Sequence, residues 1–168
     1  MKPTDITKLD LIEEIKATIG SIPNDLPPGA GSDTAWTAFL KSKIREIGKK
    51  HGYLVSPCPD DGNKEWLYDL IWFRNDSANQ LSEVALVLES EWSSDSWHIQ
   101  EDFEKLLVAK APIKVMVFQS NGNNLQGLWD QLTKSIDAFK QRSQDETYIL
   151  AAFNGGEHKF EFKDVPGA

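Results

Sequence analysis

One cysteine, Cys58, among 168 residues rules out an intramolecular disulfide and a cysteine-rich zinc module. No apolar run approaches the ~20 residues that a membrane-spanning helix needs. The opening Met1-Lys2-Pro3-Thr4-Asp5 lacks the apolar stretch of a secretory signal, so a cytoplasmic protein is expected. Positive charge is scarce: 18 basic residues face 26 acidic ones, and the net charge is −8. That balance argues against non-specific coating of nucleic acid, which needs a broad positive surface. It leaves a nuclease possible, because metal-binding acids add to the negative total. His51, His98 and His158 are scattered without ligand spacing. Cys58 has no matched histidine, and Ser90, Ser93 and Ser94 lack the context of a nucleophile elbow. No glycine loop suited to cradling phosphate is present.

Hydrophobic residues make up 40% of the chain and charged residues 26%, ordinary values for a globular protein. The length suits a single domain over residues 1–168, burying roughly 70% of its unfolded surface. Leu9, Ile12, Ile15 and Ile19 predict a first helix over 8–19, stopped by Gly20 and Pro23. A proline-rich linker over 23–32 then precedes a core over 33–165. Ser32 or Asp33 caps a second helix presenting Trp36, Phe39 or Leu40, Ile44 and Ile47, with Gly52 at its end. A short strand at 53–56 follows. Further strands are expected at 65–74 and 83–89, a helix at 99–110 and a buried strand at 113–118. Strand, helix and strand between 84 and 118 read as a crossover. An amphipathic helix from Leu125 to Phe139 and a hairpin about Gly155-Gly156 complete a mixed sheet flanked by helices.

Two of these strands carry acid. Asp69 interrupts the apolar run Trp66 to Phe73, and Val84 to Leu88 ends in Glu89-Ser90-Glu91. A carboxylate in an apolar strand costs several kcal/mol unless it is paired, protonated or metal-bound. Alternation puts Asp69 on one face with Leu67, Ile71 and Phe73, and puts Glu89 and Glu91 on one face with Ala85 and Val87. If the two faces coincide, Asp69 and Glu89 converge, and a few carboxylate oxygens plus waters suit Mg²⁺.

The order of Asp69, strand, Glu89-Ser90-Glu91, helix and apolar strand resembles the PD-(D/E)XK nuclease superfamily, over about residues 33–118. The resemblance implies a restriction-endonuclease-like three-layer α/β architecture around a mixed central sheet. It also implies phosphodiester hydrolysis with Mg²⁺ or Mn²⁺ held by Asp69 and Glu89. The third motif position holds Glu91 in place of lysine; some restriction enzymes of this fold likewise have glutamate there. Glu91 is then a further ligand or the base for water. Lys105 looks like the helix-borne lysine of related sequences, although helical periodicity sets it away from the Phe103, Leu106 and Leu107 face. Glu46 matches the extra acid that a first helix supplies in some members. Nucleic acid is the implied partner, and pairing into a homodimer is common among such nucleases.

The segment 41–51 holds Lys41, Lys43, Arg45, Lys49 and Lys50 against Glu46, a run that is either a nucleic-acid contact or the solvated face of a helix. Trp92 and Trp97 follow the acids without periodicity, and they either stack on bases, anchor a protein partner or pack as a lid. Beside the nuclease stand two further readings. One is an inactive nuclease-like scaffold. The other is an acidic interaction domain of inhibitor or immunity type, whose carboxylates meet a basic partner.

Overall fold

The structure is a computed structural model that describes residues 6–167; the Met1–Asp5 stretch read above for a secretory signal lies outside them. The described residues form α1 (Lys8–Asp25), α2 (Asp33–Lys50), β1 (Leu54–Ser56), β2 (Leu70–Asn75), β3 (Leu81–Glu91), α3 (Ser96–Val108), β4 (Ile113–Ser120), α4 (Leu125–Ala138), β5 (Thr147–Asn154) and β6 (Lys159–Pro166). One sheet takes the strands in chain order. β1, β2 and β3 form an antiparallel meander, β3, β4 and β5 run parallel, and β6 returns antiparallel to β5. The mixed α/β sheet between helical layers is the expected arrangement. No helix of the described residues is long and apolar enough to cross a membrane.

Period-two alternation divides the core. Trp72, Leu86, Leu88, Val115, Val117 and Ile149 face the layer of α1 and α2. Ile71, Val87, Met116, Phe118 and Leu150 face α3 and α4. Buried on both faces, β4 needs no polar alternation, which explains the apolar run Val115–Phe118 after the buried Lys114.

The elements depart from the sequence reading most at α1, α3 and β2, and β3 extends two residues further at each end than expected. Helix α1 does not stop at Ile19 but runs through Gly20 and Pro23 to Asp25, so the linker shortens to 26–32. Pro23 falls in the last turn, where its missing N–H forfeits one bond while Ile22 and Pro23 are buried against the sheet. Its carbonyl accepts from the His158 ring at 3.1 Å. Helix α3 begins at Ser96 and not Ile99, because the Asp95 side chain accepts from the Trp97 N–H at 2.9 Å and caps it. Strand β2 begins only at Leu70.

Helix α2 packs against the sheet at Gly48 with no room for a side chain. A Cβ there would lie 2.7 to 2.9 Å from three atoms of the Trp72 indole, which is fully buried and cannot yield. We expect Gly48→Ala to destabilise the protein by at least about 1 kcal/mol despite the better helix propensity of alanine. A urea midpoint equal to or above wild type would show that the helix can shift.

Candidate functional site

The chain enters β2 through an irregular segment. Leu67 has a positive φ of 67°, and an isolated bridge joins Trp66 to Tyr68. Asp69 therefore sits in a bend just before the strand and not in its middle. Pairing of Leu70 with Leu88 sets Asp69 beside the acidic end of β3. There the Ser90 N–H and hydroxyl both donate to Asp69 Oδ2, at 2.8 and 2.7 Å. On the other side, Lys41 of α2 places its Nζ 3.8 Å from Asp69 Oδ1 and pairs with Glu65. Lys41 is buried, its stem lying along the α2 packing face.

Glu89 follows Val87 on the face of β3 that α3 covers, and only 3% of it is exposed. Its Oε2 lies 3.7 Å from Lys105 Nζ. Its Oε1 is buried with no hydrogen-bond partner. Burial, and then the charge of Asp69, push the Glu89 carboxyl up to about 8, against the pull of Lys105. Lys105 itself is half-exposed and bonds Asp102 Oδ1 at 2.6 Å. Burial works against its charge, but the Asp102 hydrogen bond and the Glu89 charge prevail and raise its pKa. The long stem thus brings Lys105 to the acids from outside the apolar stripe of α3. Tyr68 is also raised, by burial and by Glu89.

The remaining candidates are distributed elsewhere. Glu91 turns its Oε1 to accept the Ser93 N–H at 2.6 Å, shaping the exit from β3. It is not among the charges that perturb Glu89. Glu46 lines a groove between α1 and α2 with Glu14, Thr18, Lys43 and Lys50. The basic run is not one surface. Lys41 points to Asp69, Lys43 lies over the Phe39 ring, Arg45 donates to the Pro57 carbonyl at 3.1 Å, and Lys50 pairs with Glu14. Lys49 is exposed. Trp92 is half-buried: its indole donates to Thr37 Oγ1 at 2.8 Å, and its ring lies 5.4 Å from that of Trp36. It packs against the core on the α1 and α2 side and is not an exposed aromatic. Trp97 is 67% exposed at the start of α3.

Asp69, Glu89, Lys105, Asp102, Lys41 and Glu65 therefore meet at one end of the β2–β3 pair. Among the described residues no three His, Cys, Asp or Glu side chains group closely enough to hold a metal by themselves. Asp102 and Glu65 were missed from sequence. The three-residue spacing of Asp102 and Lys105 was a usable signal; Glu65, in a loop, gave none.

No protein-family profile matches the chain, and no curated protein matches it. Two solved structures are similar over most of its length. NucC of E. coli MS115-1 in its cAAA-bound form is 10% identical, with 99% of this chain and 87% of that chain covered and a TM-score of 0.43. NucC of P. aeruginosa ATCC27853, also cAAA-bound, is 8% identical over 94% of this chain and 82% of that chain, with a TM-score of 0.44. Similarity at this level leaves the chemistry of the chain to be read from its own residues.

Proposed function

We propose that the protein is a Mg²⁺- or Mn²⁺-dependent nuclease that hydrolyses phosphodiester bonds with activated water. The observation that carries this reading is the buried Glu89 carboxylate, with an unpartnered oxygen, beside Asp69. A cation between them would satisfy that oxygen and stabilise both charges. Two carboxylates fit Mg²⁺, which keeps several waters and also takes phosphate oxygens, so a third acidic ligand is not required. When bound, the metal supplies a more acidic water and polarises the phosphoryl oxygens.

The residues divide the remaining work. Asp69 and Glu89 would hold the cation, and Ser90 fixes the Asp69 rotamer through two hydrogen bonds. Lys105 provides positive charge next to Glu89, in the role that Glu91 cannot fill as an acid engaged with Ser93. Lys41 balances Asp69 from the α2 side.

One observation favours a second reading, an inactive nuclease-like scaffold or acidic interaction domain. Both lysines at the site are already paired with acids, Lys41 with Glu65 and Lys105 with Asp102.

Metal titration followed by thermal unfolding separates the two. At a hundredfold excess over Kd, Mg²⁺ or Mn²⁺ should stabilise wild type by about 2.7 kcal/mol, or roughly 5–10 °C. Glu89→Gln should show no such gain. Incubation with plasmid DNA and with RNA should then reveal cleavage that Asp69→Asn and Glu89→Gln reduce by about a hundredfold or more. Absence of any metal response in wild type would sink the nuclease; a metal response without cleavage would leave the scaffold.

A further inference from the structure

We infer that β6 is a self-complementary edge through which two copies of this chain join their sheets antiparallel, a surface independent of the acidic site. Among the described residues β6 ends the strand order and pairs only with β5. Its register with β5 is unbroken from Lys159 opposite Asn154 to Pro166 opposite Thr147. The Gly167 N–H donates to the Glu146 carbonyl at 3.0 Å, which fixes the phase of the ladder. In an antiparallel pair the hydrogen-bonded positions alternate, so Val165, Lys163, Glu161 and Lys159 turn their backbone groups toward β5. Phe160, Phe162 and Asp164 turn theirs outward. Three consecutive outward positions are a template for another strand.

The side chains select the partner. A two-fold axis through Phe162 pairs Phe162 with its own copy and Phe160 with Asp164 at the hydrogen-bonded positions. The same axis sets Glu161 opposite Lys163, and Lys163 opposite Glu161, at the intervening positions where cross-strand side chains approach most closely. Opposite charges therefore meet twice. On the other face the two half-buried Phe162 rings meet, each already seated near Phe160 and Gly20 of its own chain. The axis stands normal to the sheet, so both α1 helices lie on one side of the joined structure. The sequence of a single strand supplies both halves of an isologous contact.

The competing account is that Lys159 and Lys163 keep the edge solvated and single. Sedimentation of wild type, Lys163→Glu, Glu161→Lys and the double swap decides between them, with circular dichroism and melting confirming that each folds. Wild type should sediment as a dimer. Each single change places like charges in contact twice and should weaken dimerisation on the order of tenfold in Kd. The double swap should restore it. Amide exchange supplies a readout specific to this register: Phe160, Phe162 and Asp164 should gain protection as concentration rises. A wild-type monomer, single variants that dimerise like wild type, or a dimer that leaves those three amides unprotected would each overturn the proposal.

Discussion

Raising the pH from about 5 to about 9 is expected to destabilise the metal-free wild-type protein by a few kcal/mol and to leave Glu89→Gln nearly unchanged over the same interval. The cause is the elevated Glu89 carboxyl, about 8 in the folded chain against 4.5 as its ordinary value. Between those values the folded state holds a proton that the unfolded state has lost. The stability that Glu89 contributes is therefore greatest below 4.5, declines through the window, and levels off once the pH passes 8. Glutamine keeps the shape without the charge and removes this slope. Reading the difference between the two proteins cancels titrations they share, including Glu14, whose pKa moves down: burial opposes that shift, but hydrogen bonds from Lys50 and His51 prevail. Urea midpoints across the pH range in chelator provide the measurement; parallel curves for wild type and Glu89→Gln would show that Glu89 ionises freely. Adding Mg²⁺ at high pH should return stability to wild type alone, since the cation binds the ionised form.

The second large effect is expected at Lys114, on the same sheet face and fully buried. Its Nζ lies 3.0 Å from Glu146 Oε2, 3.2 Å from the Tyr148 hydroxyl and 3.4 Å from the Leu107 carbonyl in the last turn of α3. Burial lowers the Lys114 pKa, while Glu146 opposes the shift. The Tyr148 hydroxyl donates to Glu146 at 3.0 Å, so the three groups form one network. Lys114→Ala leaves an acid and a helix-end carbonyl without their cation, and should cost about 3–5 kcal/mol, lowering Tm by about 10 °C. The pair Lys114→Met with Glu146→Gln should recover more than half of that loss, because it removes both charges together. Thermal melts of the three variants test the network. A loss below about 1 kcal/mol for Lys114→Ala would mean that the desolvation of the ammonium already offsets its bonds.

Much of the architecture was legible in the sequence because its signals are local and periodic. Leu125, Leu128, Trp129, Leu132 and Ile136 defined α4, and all five are buried. The apolar run at 113–118 gave β4 for the same reason. The errors arose where tertiary burial overrode a local stop signal. Gly20 and Pro23 marked an end to α1, yet burial of Ile22 carries the helix past both. Leu67, Asp69, Ile71 and Phe73 alternate as a strand should, but the backbone at Leu67 turns, and only Leu70 onward joins the sheet.

The site was legible in part. Asp69 and Glu89 stand out in the sequence as carboxylates in apolar surroundings, and register brings them to one end of the β2–β3 pair, their role as ligands being the proposal above. Periodicity set Lys105 apart from the apolar stripe of α3; it could not tell that a flexible stem of four methylenes spans the gap to Glu89. The motif spacing gave Glu91 a share in the site, whereas its carboxylate is used within two residues of itself. Nor could charge counting separate Lys41 from Lys43 and Lys50, which the rotation of about 100° per residue along α2 sends toward different neighbours.

The two borders of the sheet differ in length. β1 contributes three residues, whereas β6 contributes eight. A long border at each side would allow copies to add without limit into a filament, whereas joining through β6 as proposed would use up the extended border and leave outward only the two short ones. Such an assembly would be self-limiting at a pair, a continuous sheet of twelve strands with two strands, β4 and β5, between each acidic site and the seam strand.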